Sequence, residues 1–303
     1  MAEALKAVGL PNRGIVRVHG EDARGFLDTL ITNSMAGVTA DTAIYAALLT
    51  PQGKIITDFF IIEAAADMGG GFYCDLPLLA VAEFIKRLTL YKLRAKVTIE
   101  DFSEELGVIA LWGANPKADE TELSFNDPRL PAMGLRVIDS KSLNAAVLEA
   151  FDAKPVSLPE YHWHRTRLGI GEAVFDFTLG DAFPHDINMD QLNGVDFRKG
   201  CYVGQEIVSR MEHRGTARTR LVQIRYPDSM GVDEGTLLMA ADKKLGMACS
   251  PARGLSLAML RLDRAADAVA AGVTITADGL EVTALKPQWW TAAWPIATAP
   301  ISA

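Results

Sequence analysis

The chain has 303 residues, of which 49% are hydrophobic, 22% charged and 8% aromatic, a globular composition that excludes disordered, collagen-like and fibrous classes. Lys and Arg total 30 against 38 Asp and Glu, a net charge of -8 that argues against a basic coat for non-specific nucleic-acid binding. The charge is uneven: residues 198–225 carry seven Arg or Lys (Arg198, Lys199, Arg210, Arg214, Arg218, Arg220, Arg225) against Glu206 and Glu212, leaving that stretch at +5.

In chain order, residues 14–18 read as a short strand, and Ala23, Phe26, Leu27, Leu30 and Ile31 recur at helical spacing over 21–32. Strands at 44–49 and 55–62 flank Thr50-Pro51-Gln52-Gly53, whose proline second and glycine fourth suit a type I turn closing a hairpin. Gly69-Gly70-Gly71 turns into a strand at 72–76, and Pro77 opens a helix running to about Leu90. Strands near 95–100, 107–112 and 134–138 and a helix over 157–168 follow. Short turns and interrupting helices, without regular βαβ alternation, predict an α+β class. Beyond residue 216, β-like runs at 221–226, 236–240, 245–249, 255–262, 273–276 and 280–285 predict a small all-β domain, a barrel. The expected division is an α+β core over 1–216, which can itself split into two interleaved subdomains, and a barrel domain over 217–303.

Several motifs are absent or fail. There is no G-x-G-x-x-G and no P-loop. Gly254-Leu255-Ser256-Leu257-Ala258 lacks the final glycine of a nucleophile elbow and reads as strand. His162 and His164 would diverge on a helix and bring no third ligand, and Cys74, Cys201 and Cys249 form no C-x-x-C pair, so no metal site is expected. Cys74 and Cys249 read as small core residues. No apolar run is long enough to span a membrane, and MAEALKAVGL carries no basic region followed by an apolar core. The expectation is a cytoplasmic protein that binds neither membrane nor nucleic acid.

Residues 194–220 carry the chemistry. Gly200 and Gly204 bracket Cys201, and 204–214 reads as a helix with Ile207, Val208 and Met211 on one face and Gly215 as its stop. Cys201 would stand before a helix N-terminus beside Arg198 and Lys199, surroundings that favour a thiolate. Arg210 and Arg214 share a helix face. The same residues also fit a buried cysteine in a glycine-rich turn with a solvated basic face.

Lys199-Gly200-Cys201-Tyr202-Val203-Gly204-Gln205-Glu206 resembles the K-G-C-[FY]-x-G-Q-E signature of the YgfZ/Iba57 family, relatives of the glycine-cleavage T-protein, and the match runs on through Arg210 to His213-Arg214-Gly215. Pro184-His185-Asp186-Ile187-Asn188, Gly20-Glu21-Asp22-Ala23 with Phe26-Leu27, and Leu49-Thr50-Pro51-Gln52-Gly53-Lys54 resemble further stretches of that family. The resemblance implies a folate-binding α+β core followed by a β-barrel, tetrahydrofolate as ligand, and a role in assembling or repairing [4Fe-4S] clusters in client enzymes. Its partners would be folate and iron–sulfur client or assembly proteins, with no stably bound metal. It implies Cys201 as the functional thiol, and Asp58, Lys199, Tyr202, Gln205, Glu206, Arg210 and Arg214 as ligand-binding residues. The T-protein relatives carry G-G-x-x-D-D, whereas Gly53-Lys54-Ile55-Ile56-Thr57-Asp58 has Thr57 in place of the first aspartate. Asp58 then reads either as a hydrogen-bonding residue or as a solvent-facing strand acid. The pterin-binding glutamate of the relatives has no aligned match, Glu172 falling one position away. The alternatives are a folate-dependent aminomethyltransferase or demethylase, the only kind of turnover the resemblance would allow, and a silent binding module.

Overall fold

The computed structural model describes residues 4–64, 69–113, 123–140, 145–215 and 217–296. Its strands and helices in chain order are β1 (Lys6–Gly9), β2 (Arg13–His19), α1 (Ala23–Asp28), β3 (Ile44–Leu49), β4 (Ile55–Glu63), β5 (Phe72–Pro77), α2 (Val81–Lys92), β6 (Thr98–Asp101), β7 (Leu106–Trp112), β8 (Ser124–Asn126), β9 (Leu135–Ser140), α3 (Ala145–Ala150), β10 (Lys154–Pro155), α4 (Leu158–Leu168) and α5 (Gln205–Arg214). Then come β11 (Thr219–Arg225), β12 (Leu237–Ala240), β13 (Lys243–Ala252), β14 (Leu255–Arg261), α6 (Leu262–Ala270), β15 (Ile275–Ala277), β16 (Leu280–Glu281) and β17 (Thr283–Leu285). Two compact units divide the chain: Met1–Tyr161 with Leu192–Ser209, and His162–Gln191 with Arg210–Ala303.

The first unit holds two five-stranded sheets, ordered β10-β1-β7-β9-β8 and β3-β4-β5-β2-β6. Every residue of β3 and β5 is buried, which is why β3 reads as a continuous apolar run rather than an alternating one. The hairpin between β3 and β4 closes as its sequence predicts, Gly53 N–H donating to the Thr50 carbonyl at 2.8 Å with Gly53 at φ +78°. Its register slips by one residue between the pairs Leu49–Ile55 and Leu48–Thr57. That bulge sets Asp58 opposite Ala47 and so puts Asp58, Tyr45 and Phe60 on one face.

The helix expected over 21–32 ends at Asp28. Beyond it Ile31 bridges to Leu48, and the Thr32 hydroxyl donates to the Gly194 carbonyl while accepting from Ala47 N–H. Partners far away in sequence therefore take over where local periodicity would continue the helix. Pro77 ends β5, and one 3-10 turn (Leu78–Ala80) separates it from α2.

The second unit holds a seven-stranded sheet ordered β16-β15-β12-β13-β14-β11-β17, an antiparallel and nearly closed barrel around Val222, Ile224, Leu238, Leu260 and Ile275. The runs beyond residue 216 predict strands alone, yet α6 buries Leu262 and Ala265 against this core with Val269 packed beside them. No helix among the described residues is long and apolar enough to cross a membrane.

Candidate functional site

The signature segment folds in the first unit up to Ser209. Gly204 has φ +83°, and a Cβ there would lie 2.6 Å from the Thr50 carbonyl oxygen and 3.1 Å from Gly53 Cα. Gly53 in turn touches the side chain of Ile207, 3.0 Å from where its own Cβ would stand. The two glycine-bearing motifs read separately in the sequence thus pack against each other, and each needs its glycine for that reason.

On the other side of Cys201, the Lys199 side chain is only 3% exposed. Its ammonium donates to the carbonyls of Asp28 at 2.6 Å, Ile31 at 2.8 Å and Asn33 at 2.8 Å. Burial pushes the ammonium below the usual lysine range, with the Asp28 carboxylate opposing. The family resemblance implies this cation, next to the cysteine, as a ligand-binding group. All three of its donors are instead engaged with backbone oxygens. Asp196 N–H donates to Thr32 O at 3.0 Å and Asn33 Nδ2 to Asn193 O at 2.7 Å, completing the seam between 28–33 and 193–199.

Cys201 itself is exposed and carries a free thiol, four residues before the first residue of α5. Arg198, 95% exposed, is the neighbouring cation that faces solvent. Tyr202 turns inward, its ring 5.4 Å from Lys199 Nζ, and burial pushes its phenol far above the usual range. Gln205 reaches back to the Gly200 carbonyl at 3.4 Å, and Glu206 is exposed on the first turn of α5. Arg210 and Arg214 belong to the second unit and are exposed on the last turns of α5. The basic island is therefore not one surface. Lys199 is internal, and Arg220 is buried with both guanidinium arms on Asp190 at 2.5 and 2.9 Å. The other cysteines are buried; burial pushes the Cys249 thiol up to about 12 and Cys74 higher still.

Asp58 is buried on β4 and so is not a solvent-facing acid. The Tyr45 hydroxyl donates to its Oδ2 at 2.9 Å, while Oδ1 is buried with no hydrogen-bond partner among the described residues. Burial raises the Asp58 pKa, against the opposing charge of Arg13, the Tyr45 bond and Arg129. Around it lies a paired network: Arg13 and Arg136 on Asp75, and Arg129 and Arg136 on Asp127, with all three guanidinium groups within 4.1–5.7 Å of the Phe60 ring centroid. The sequence reading missed Tyr45 and these arginines. The hairpin register could have placed Tyr45 diagonally from Asp58, but only with the bulge in it.

Among the described residues, His185, Asp190 and Glu212 bring possible metal-ligating atoms within 4.8 Å. Arg220 occupies both oxygens of Asp190, and its charge opposes a cation there, so the cluster reads as an ion-paired one. His162 and His164 lie on α4 as expected, His162 Nδ1 accepting from Arg165 Nε at 3.0 Å.

The fold and the signature loop together define a T-protein-like class: an α+β core bearing a glycine-flanked cysteine, followed by a β-barrel. A family model of the GCVT N-terminal domain matches residues 8–148, and one of the CAF17 C-terminal beta-barrel domain matches 218–292. The crystal structure of the glycine cleavage system aminomethyltransferase T from Bartonella henselae superposes with a TM-score of 0.71 over 95% of this chain and 87% of that one, at 14% identity, a likeness of fold. The iron–sulfur cluster assembly factor IBA57 of Mus musculus is 31% identical over 308 residues, 93% of this chain and 84% of its own length. The IBA57 homologue of Mycosarcoma maydis is 34% identical over 234 residues, 73% of this chain but only 57% of the relative's length. The chain belongs to the IBA57 family of iron–sulfur cluster assembly factors. Both of these relatives are described as mitochondrial, which overturns the cytoplasmic expectation. An N-terminus without a visible signal could not carry that inference.

Proposed function

We propose that this chain is an iron–sulfur cluster assembly factor that binds tetrahydrofolate and serves [4Fe-4S] client enzymes, with Cys201 as its functional thiol. The observation that carries the reading is the exposed Cys201, held between two anchored residues of the family signature while Cys74 and Cys249 are buried. A thiolate is the form that ligates iron or takes up sulfur. One exposed cysteine supplies one ligand, so the cluster is cargo completed by a partner's ligands.

The folate part rests on Asp58. A buried carboxylate oxygen without a donor costs free energy, and a bound N–H would offset that cost. Tyr45 fixes the other oxygen. Tetrahydrofolate would supply a reduced pteridine able to carry a one-carbon unit or give up electrons. Arg210 and Arg214 are exposed on α5 and present positive charge to an acidic partner, an attraction that should weaken as salt rises. Aminomethyl transfer is the weaker reading, because Thr57 replaces one acid of the relatives and burial raises the pKa of the remaining Asp58.

Complementation of a deletion strain tests this. Cys201→Ala should lower aconitase-like activity while the purified chain keeps its melting temperature, and normal client activity in that strain would refute the role of the thiol. In parallel, calorimetry with tetrahydrofolate should show saturable binding that Asp58→Asn weakens at least ten-fold.

A further inference from the structure

We propose that Lys199 is a positioning residue: it contacts no ligand but pins the thiol-bearing loop to the segment that follows α1, and so fixes where Cys201 is presented. The inference rests on Cys201 being the functional thiol, and it gives the lysine of the signature a different task from ligand binding.

Three observations lead there. First, an ammonium has three N–H donors and no acceptor, and the three carbonyls of Asp28, Ile31 and Asn33 at 2.6–2.8 Å use all of them. Nothing remains to offer a folate carboxylate or a cluster sulfide. Second, those carbonyls belong to the stretch where α1 stops short: a helix running on to Thr32 would turn the Thr32 N–H to the Asp28 oxygen, whereas here that N–H goes to Ala47 O and the lysine supplies the donor to Asp28 O. Third, the loop is held again five residues on, where Gly204 lies against Thr50 and Gly53 closely enough to leave no room for a Cβ. Between these anchors Tyr202 is buried, Gly200 has open space beside it, and Cys201 points outward.

A thiol on a loop fastened at both ends has few orientations to lose when a partner's cluster or sulfur donor approaches. Preorganisation of this kind lowers the entropic cost of forming the bond. Arginine is a poor substitute, because its donors spread over a planar fork instead of converging on one nitrogen.

The test uses the full chain as wild type, Lys199→Met and Lys199→Arg, read by backbone amide exchange, thermal melting and the pH profile of Cys201 alkylation by iodoacetamide. In Lys199→Met, exchange at amides 196–204 should rise about ten-fold or more while β4 and β5 keep wild-type protection, the signature of a local opening. The limiting alkylation rate of Cys201 at high pH should change several-fold, and Cys74 and Cys249 should stay protected. Lys199→Arg should fall between the two, and should carry the comparison alone if the methionine variant does not fold. Unchanged exchange at 196–204, or a uniform rise across β4 and β5 with a matching fall in melting temperature, overturns the proposal. Normal client activity in Cys201→Ala cells would remove the functional reading yet leave this exchange result standing, so the two failures are separable.

Discussion

The two units each bury charge, and they treat it differently. In the second unit Arg165 is fully enclosed, its guanidinium bound to the Asp176 carboxylate, the Ile170 carbonyl at 3.2 Å and the Ser250 hydroxyl at 2.7 Å; Arg220 holds Asp190 with both arms. In the first unit Asp75 and Asp127 are likewise answered by ion-paired arginines, but Asp58 is not: one oxygen has a tyrosine and the other has no hydrogen-bond partner among the described residues. Paired buried charge holds elements in place. An unanswered buried oxygen is a feature that folding alone does not explain, and it is where a ligand gains most.

The largest effect should come from breaking a completed pair. Arg165→Ala leaves Asp176 buried without its cation, and unfolding in urea should show a loss of about 3–5 kcal/mol. Asp58→Asn, made where the carboxylate is already unanswered, should bring no comparable loss. If the two variants lose similar amounts, the contrast between the units fails.

Acid titration gives a smaller effect and separates two carboxylates within one unit. Asp127 is held down to about 2, burial opposing but the Arg129 and Arg136 charges prevailing, so its stabilisation is present above the ordinary aspartate pKa and is lost as pH falls toward 2. That loss is roughly 2 kcal/mol. Asp58 has the opposite sign: its raised pKa means its contribution is full below the ordinary value and declines as pH rises through the folded-state pKa. Asp58→Asn should therefore gain stability relative to wild type near pH 7 and lose that advantage near pH 3, while Asp127→Asn should behave the other way. The chemical denaturation midpoint of each variant across pH 3–7 measures both.

Thiol labelling perturbs the fold least. Iodoacetamide at neutral pH should modify Cys201 at least ten times faster than Cys74 or Cys249, because the thiolate is the reactive form and the two buried thiols are pushed up by desolvation. Comparable rates at all three would mean the loop does not present its cysteine.

What the sequence revealed depended on the distance over which each feature is determined. Helix α5 and the hairpin turn were readable because their signals lie within a dozen residues: Gly204 and Gly215 around an apolar face, Pro51 and Gly53 around a tight reversal. The thiol's neighbourhood was only half readable. Arg198 and Lys199 are adjacent cations in the chain, yet one faces water and the other enters the interior to meet carbonyls 166–171 residues away. No local pattern distinguishes them. Asp58 offered a clue in its setting, since Ile55–Glu63 is an almost unbroken apolar run and both faces of such a strand are covered. Helix α6 escaped notice because Leu255–Arg261 reads as strand and runs directly into it, with no capping side chain at the junction.

The seam around Lys199 also bears on how the signature can be transplanted. Its eight residues are contiguous, but the contacts that shape them are supplied by Asp28–Asn33 and Thr50–Gly53. A synthetic peptide spanning Arg198–Glu206, or a graft of that stretch onto an unrelated scaffold, would carry the right letters and have neither the oxygens for the ammonium nor the turn for the glycine. The transferable unit is three separate pieces of chain, and any minimal mimic of this thiol must hold all three in register.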